Sequence, residues 1–366
     1  MIYCIIGTRA QLIKMAPIIA RIEEKSWPLR LIHTGQHLIS MDDLRQDFSL
    51  KTPWIYLIKK KEAKTIFSSL RWLLSLLYIT LFKSKKIIPN ANKSKDIVLV
   101  HGDTFSTVIG ALLGKTSGAS VAHVESGLRS FNIWNPFPEE LNRLITFSLS
   151  NIAFCPGAWA VNNLKSYKKL ETINTQQNTL IDSLGIALKH IQKRKRAETD
   201  KKYAVVSIHR FENIYNKERF QFIIDAVLRA AEEFQVIFVM HPVTEKRLKK
   251  TALLTALSSN KNIKLKPRSG YIEFVALLSE SSFVITDGGS NQEELAYLKI
   301  PTLLMRKATE RPEGLGQNVS LSNYSSRITN DFFFSIKQRG RHTPKIDVPN
   351  PSPTNIIINS IKQYKK

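Results

Sequence analysis

The chain has almost no cysteine. Cys4 and Cys155 stand far apart, without the spacing of a ligand set, so neither a disulfide framework nor a thiolate metal site organises it. Both read as reduced core residues of a cytoplasmic protein. Acidic residues are scarce as well: 30 Asp and Glu face 54 Lys and Arg, and a formal charge of +24 points to a polyanionic partner, either nucleic acid or an anionic membrane surface. No apolar run reaches the ~20 residues that cross a bilayer. The turn after the first apolar run lacks the G-x-G-x-x-G spacing, which excludes a dinucleotide fingerprint. The amino terminus puts its apolar run ahead of any basic residue, the reverse of a secretory leader, so the chain is expected to stay inside the cell.

What is present is hydrophobic mass and a repeated pattern. At 366 residues and 43% hydrophobic content the chain exceeds one comfortable core, and two domains are expected. Short apolar runs fall at 1–6, 29–33, 97–100, 119–124 and 151–156, then again at 203–207, 235–240, 263–265, 283–286 and 302–305. Runs this short and continuous, separated by helical patterns, read as strands buried on both faces of parallel sheets. The expected class is therefore α/β, with two doubly wound domains. The expected division is 1–172 and 173–353, with a last helix in 354–366 crossing back to the first domain.

Polar groups gather where these runs end, the edge at which open α/β sheets bind ligands. The first series offers Arg9 and Lys14 after 1–6, His101 and Asp103 after 97–100, and His123, Glu125 and Arg129 at the end of 119–124. Pro138, Glu139, Glu140 and Arg143 follow at a helix start. Taken singly, Asp103 fits an N-cap for a helix at 105–113, and Glu139 and Glu140 fit first-turn carboxylates. Two successive strand ends that each carry histidine and a carboxylate exceed what capping requires. Glu125 has the weakest structural reason of the three acids. The second series offers His209 and Arg210, then His241, then Asp287-Gly288-Gly289-Ser290 ahead of a helix at 292–297, whose free N–H groups suit a diphosphate. Arg306, Thr309, Glu310, Arg311 and Glu313 close it.

Segment 55–95 stands apart. Lys59, Lys60, Lys61 and Lys64 precede an apolar stretch at 66–82, and Lys83, Lys85, Lys86, Lys93 and Lys95 follow it. Lys64, Ser68, Arg71 and Ser75 recur at helical spacing, giving a narrow polar stripe beside a wide apolar face. Two readings stand level: a helix packed on the sheet, or an interfacial helix on an anionic membrane, each flanking lysine adding about 1 kcal/mol.

Eight ordered stretches carry a resemblance: GTRAQLIKMAP at 7–17, TGQH at 34–37, HGDT at 101–104, HVESGLR at 123–129, PEELNR at 138–143, HRFEN at 209–213, TDGGSNQEE at 286–294 and RKATERPE at 306–313. Together they resemble the UDP-N-acetylglucosamine 2-epimerase family over nearly the whole chain. The resemblance implies a GT-B-like fold, two Rossmann-like domains facing a central cleft, and conversion of UDP-GlcNAc to UDP-ManNAc for surface polysaccharide synthesis. It places Asp103, Glu125, Glu139 and His209 at the catalytic positions. Arg9, Lys14, Gly289, Ser290 and Glu294 match the UDP-holding positions, Glu294 at the ribose, and Arg143, Arg210, His241 and Arg311 join the substrate-binding set. It implies no metal and no cofactor.

The chain departs from the family's pattern in places. Ala10-Gln11 stands where the family has Pro-Glu, which removes a carboxylate near the nucleotide. Asp287-Gly288-Gly289-Ser290 replaces Asp-Ser-Gly-Gly, and Leu38-Ile39-Ser40 replaces a regulatory pattern. These changes, with segment 55–95, leave a second activity open: a membrane-surface glycosyltransferase extending a lipid-linked glycan. The expected partners are a UDP-sugar, an anionic membrane surface met through 55–95 at the inner face of the membrane, and a second copy of the chain in a homodimer. No nucleic-acid recognition module is visible, so nucleic acid is not expected as a partner.

Overall fold

The computed structural model describes residues 1–36, 41–58, 66–134, 137–193, 203–309, 311–338 and 346–364. His37, Lys59, Lys60, Lys61, Lys64 and Glu310 lie outside the described residues. The chain forms two compact units, Met1–Ile186 with Val348–Lys366, and Ala187–Asp347.

The first unit is built on seven strands: β1 Ile2–Ile6, β2 Leu29–His33, β3 Trp54–Tyr56, β4 Ile97–His101, β5 Ser120–Val124, β6 Ile152–Cys155 and β7 Glu171–Asn174. They pair in the order β3-β2-β1-β4-β5-β6-β7, every pair parallel. The second unit holds β8 Tyr203–Ser207, β9 Gln235–Met240, β10 Ile263–Pro267, β11 Phe283–Thr286, β12 Thr302–Leu304 and β13 Val319–Leu321. Their order is β10-β9-β8-β11-β12-β13, again all parallel. In both sheets the winding direction reverses beside the first strand, between β1 and β4 and between β8 and β11. Such a switch point opens a crevice at the carboxyl ends of the strands.

Burial explains the apolar runs. β1, β4 and β5 are buried along their whole length. The strands absent from the sequence expectation are β3, β7 and β13, and each is a sheet edge. An edge strand pairs on one side and keeps residues in solvent, so it lacks a continuous apolar run; Ile55 and Tyr56 of β3 are exposed.

Two expectations need correction. The division falls between Ile186 and Ala187 rather than at 172, and the return to the first unit comes at Val348 rather than 354. The reason is that β7 belongs to the first sheet, and the helix Leu180–Lys193 begins on the helix Arg9–Glu24. Thr179 Oγ1 donates to Lys14 O and Ser183 Oγ to Ile13 O, both at 2.6 Å. The returning helix Pro353–Ser360 joins the same unit, where Asp182 Oδ2 accepts from Thr354 N at 2.9 Å and from its hydroxyl at 2.7 Å. The second correction concerns Asp103, which does not cap its helix. Thr104 is the N-cap of Phe105–Ser117, reciprocated by Thr107 in a capping box.

The helix Ile66–Phe82 has one side packed on its unit and one side left exposed. Leu76 and Thr80 are buried, and Thr116 of the helix Phe105–Ser117 donates to Thr80 O at 3.0 Å. On the other side Leu74, Tyr78, Leu81 and Phe82 are 57%, 53%, 54% and 73% exposed. At 17 residues the helix is too short to cross a membrane, and among the described residues no helix is long and apolar enough to do so.

Candidate active site

In the first unit the turns after β1 and β4 are tied together by Gln11. Its Oε1 accepts from Gly7 N at 2.9 Å and Thr8 N at 3.2 Å, while Nε2 donates to His101 O at 2.7 Å and to Thr104 and Thr107 Oγ1 at 3.0 Å. A carboxylate at this position has no N–H for the His101 carbonyl. The amide therefore has a structural use: it is the N3 partner of the Thr8 capping box and a clamp across the switch point.

Glu125 follows β5 with a left-handed backbone, φ 60°. A non-glycine residue held there costs of order 1–3 kcal/mol, a strain that tends to persist at functional sites. Its carboxylate is buried with Lys14, whose Nζ lies 2.9 and 2.8 Å from the two oxygens, and His101 Nε2 is 2.9 Å from Oε2. Glu125, expected to have the weakest structural reason of the three acids, has a clear one: it neutralises a lysine whose side chain is only 4% exposed. His123 bridges the neighbouring turns. Its Nε2 donates to Gly102 O at 2.7 Å, so Nδ1 is the acceptor for the Ser126 hydroxyl at 2.9 Å. Burial, only partly opposed by the Gly102 carbonyl, lowers its pKa to about 4.

The two glutamates that open the helix Glu139–Leu149 differ. Glu140 is fully buried and accepts from Arg129 Nε at 2.5 Å, Ser130 N at 3.0 Å and Arg143 Nη1 at 3.1 Å. Burial raises its pKa, but these donors outweigh that and hold it below the usual carboxylate range. Glu139 has a buried Oε2 with no hydrogen-bond partner among the described residues. Leaving a carboxylate oxygen so carries a desolvation cost that a ligand, a proton or a bound water relieves. Asp103, partly exposed, is gripped by Arg143 Nη2 at 2.6 Å and Nε at 3.0 Å. Asp103, Glu125 and Glu139 thus all stand at the carboxyl edge of one sheet or at the helix start that follows it.

In the second unit Asp287, fully buried, organises the turn after β8. Its Oδ1 accepts from His209 N at 3.0 Å, and its Oδ2 from Arg210 N at 3.0 Å and Asn213 Nδ2 at 2.9 Å. Register explains the contact: Ser207 pairs with Thr286, so the next residues of both strands emerge side by side. The His209 ring lies against His241, centroids 5.3 Å apart. Burial lowers the pKa of both histidines, His241 to about 4, with Arg268 adding to the effect and Asp287 opposing it. His241 also caps the helix Pro242–Leu248, its Nδ1 accepting from Val243 N at 3.4 Å. Gly289 and Ser290 open the helix Gly289–Tyr297, whose first-turn N–H groups lack intrahelical acceptors. Glu294 is buried one turn on. Gln292 Nε2 pins the loop after β12 through Arg311 O at 2.9 Å and Glu313 O at 3.1 Å.

Every cation of the expected binding set faces a carboxylate: Arg9 faces Asp43 and Lys14 faces Glu125, Arg143 lies between Asp103 and Glu140, Arg210 faces Glu212, and Arg311 faces Glu293. Asp43 and Arg268 escaped the sequence reading. Asp43 sits in a short helix, Asp42–Asp47, where an acid is ordinary, yet the Arg9 hydrogen bond lowers its pKa despite partial burial. Arg268 follows β10, and its place directly after a strand was the available signal. Among the described residues no group of His, Cys, Asp and Glu has the arrangement of a metal site.

Residues 20–341 match the family model described as UDP-N-acetylglucosamine 2-epimerase. The chain is similar to the UDP-N-acetylglucosamine 2-epimerase of Methanocaldococcus jannaschii, 34% identical over 338 residues that cover 88% of this chain and 89% of that one. It is likewise 34% identical over 334 residues to the protein of that name from Campylobacter jejuni, covering 87% and 84%. Its structure is similar to UDP-GlcNAc 2-epimerase from Neisseria meningitidis bound to UDP-GlcNAc, with a TM-score of 0.81, 27% identity and 99% of each chain covered. The M. jannaschii enzyme in complex with UDP-GlcNAc and UDP gives a TM-score of 0.81 at 30% identity, again over 99% of each chain.

Proposed function

Because the chain belongs to the UDP-N-acetylglucosamine 2-epimerase family, we propose that it is an isomerase that interconverts UDP-GlcNAc and UDP-ManNAc by eliminating and re-adding UDP. A base takes the C2 proton, the C2–H electron pair becomes the C1=C2 bond of a glycal, and the C1–O bond breaks with its electrons leaving on UDP. Return of UDP to C1 with protonation of C2 from the opposite face gives the epimer, and the sequence is redox-neutral. The C2 proton is weakly acidic, so the leaving group must be stabilised strongly. Arg9, Lys14, Arg143, Arg210, His241, Arg311 and the N–H groups of Gly289 and Ser290 are assigned to the anion, and Glu294 to the ribose.

Asp103, Glu125, Glu139 and His209 are the proton-handling groups in this reading. The observation that carries it is the contrast between the two adjacent glutamates: Glu140 is held by three donors, whereas Glu139 keeps a buried oxygen without a partner among the described residues. Incubation with UDP-GlcNAc in heavy water, followed by NMR, tests the proposal. Deuterium appears at C2 together with a second UDP-hexosamine if it holds. Absence of exchange across UDP-hexosamines sinks it, and UDP release that depends on a lipid-linked acceptor would point to the glycosyltransferase instead.

A second proposal concerns location: the exposed side of the helix Ile66–Phe82 rests on an anionic lipid surface at the inner face of the membrane. Leu74, Tyr78, Leu81 and Phe82 supply the apolar contact, while Lys83, Lys85 and Lys86 at its end supply charge. A second copy would bring the same lysines, in a chain of charge +24, toward each other. Flotation with anionic vesicles at low salt, reversed at high salt, is the expected result. A dimer in solution that ignores such vesicles would mark this face as a homodimer contact.

A further inference from the structure

Asn323 and Tyr324 are the central residues of the turn that follows β13, closed by Ser325 N donating to Ser322 O at 2.8 Å. Both have left-handed backbones, φ 49° and 53°, the pattern of a type I′ turn. Asparagine suits the first of these places. The second is ordinarily taken by glycine, and an aromatic residue held there is strained. Apolar burial does not explain the choice, because Tyr324 is only half-buried, with Arg219 Cζ 5.1 Å from the centre of its ring and Phe222 meeting it edge-on at 6.0 Å. What the tyrosine supplies is its hydroxyl, which donates to Asn213 Oδ1 and lies 3.1 Å from Met305 O. Burial, partly opposed by Arg219, raises its pKa, so the hydroxyl keeps its proton and stays a donor at neutral pH.

We propose that Tyr324 is a positioning residue for His209: acting through Asn213 and Asp287, its hydroxyl fixes the turn that aims the imidazole. The proposal rests on the epimerase reading for its catalytic half only. Asn213 is fully buried, and its amide is used on both sides. Nδ2 donates to Asp287 Oδ2 at 2.9 Å and to Met305 O at 3.1 Å, which leaves Oδ1 in need of a donor, and Tyr324 is the one it has among the described residues. Turned over, the amide would set its oxygen against two acceptors, so the hydroxyl selects the orientation that serves Asp287. Asp287 Oδ1 in turn accepts from His209 N at 3.0 Å and lies 3.6 Å from His209 Nδ1. The brace spans the sheet, because β11 and β12 lie between β8, which leads to His209, and β13, which leads to Tyr324. A strained tyrosine at the far strand end thus holds a histidine that it does not touch.

The test compares wild type with Tyr324→Phe, which keeps the ring and the turn and removes one oxygen. The variant should fold with a somewhat lower melting temperature, since the buried Asn213 Oδ1 loses its donor. The His209 Cε1–H signal, identified by its loss in His209→Gln, should move and titrate higher, nearer the ordinary histidine value, because an Asp287 carboxylate less firmly bonded to Asn213 draws more strongly on the ring. The charged and titrating groups facing that ring are Asp287, Arg210, Arg268 and His241. Turnover should fall about 10–100-fold with KM changed much less, as expected when a reacting group is misplaced by up to an ångström. Adding Tyr324→Phe to Asn213→Ala should lower turnover no further, and a second, independent loss would overturn the route through Asn213. A His209 titration identical to wild type in Tyr324→Phe, whatever the melting temperature, overturns the positioning role. A shifted titration with unchanged turnover overturns its link to the reaction. If wild type itself shows no C2 exchange, the epimerase reading fails while the NMR comparison still decides whether Tyr324 places the ring.

Discussion

Lys14 Nζ lies 2.9 and 2.8 Å from the two carboxylate oxygens of Glu125, with both side chains about nineteen-twentieths buried. A buried pair of this kind is held less by its attraction than by the penalty of separating it, since either partner alone would be an uncompensated charge away from water. Glu125 therefore has a structural function to lose besides the proton-handling role proposed for it.

Glu125→Gln is expected to lower turnover by roughly 10²–10⁴-fold, the usual share of a general acid or base. It should also destabilise the fold by about 3 kcal/mol because Lys14 keeps its charge without a counterion. Adding Lys14→Met should restore much of the urea midpoint and none of the rate. A double variant that regains activity would remove Glu125 from the proton-handling set.

Glu139 and Glu140 are adjacent and should behave oppositely. Glu139→Gln is expected to slow turnover by at least ~10²-fold with stability unchanged or slightly raised, since a buried oxygen with no partner among the described residues loses its charge. Glu140→Gln should cost about 3 kcal/mol, because Arg129 and Arg143 lose a buried counterion. Denaturation and steady-state kinetics on the pair decide it; equal effects on both quantities would contradict the assignment.

Asp287→Asn should both destabilise and slow the protein. All three donors on Asp287 are N–H groups, so an amide NH2 in place of one oxygen turns a donor against a donor in a fully buried site. A loss of about 1–3 kcal/mol is expected, with thermal melting as the readout. A variant as stable as wild type would show that the His209 turn holds itself.

Stability should fall on mild acidification. His123 is buried with a pKa lowered to about 4, so between that value and its unfolded 6.5 the unfolded chain binds more protons than the native one. Its contribution is complete above pH 6.5 and is lost as the pH falls toward 4, roughly 3 kcal/mol in all. His123→Asn should flatten the dependence of the urea midpoint on pH between 6.5 and 5. A slope identical to wild type would assign the effect to other groups.

The central strands were legible because a strand buried on both faces is a short unbroken apolar run, and the catalytic candidates were legible because they end such runs. β3, β7 and β13 were not, because one side of each meets solvent. Missing β7 is what misplaced the division between the units. Partnership was the harder matter. Nothing local distinguishes Glu139 from Glu140, and the pairing of Lys14 with Glu125 joins residues 111 positions apart. Gln11 read as a lost carboxylate because its amide oxygen and its NH2 group act on two turns brought together only by the β1–β4 pairing.

The first unit is discontinuous, its core opened by β1 and completed by the segment beginning at Val348. A ribosome emitting this chain delivers the entire second unit before the helix Pro353–Ser360 can reach Asp182 and the helix Arg9–Glu24. The first half must therefore wait, with part of its surface uncovered, while the second half emerges and folds as a unit. Its earliest helix is among the last to be covered.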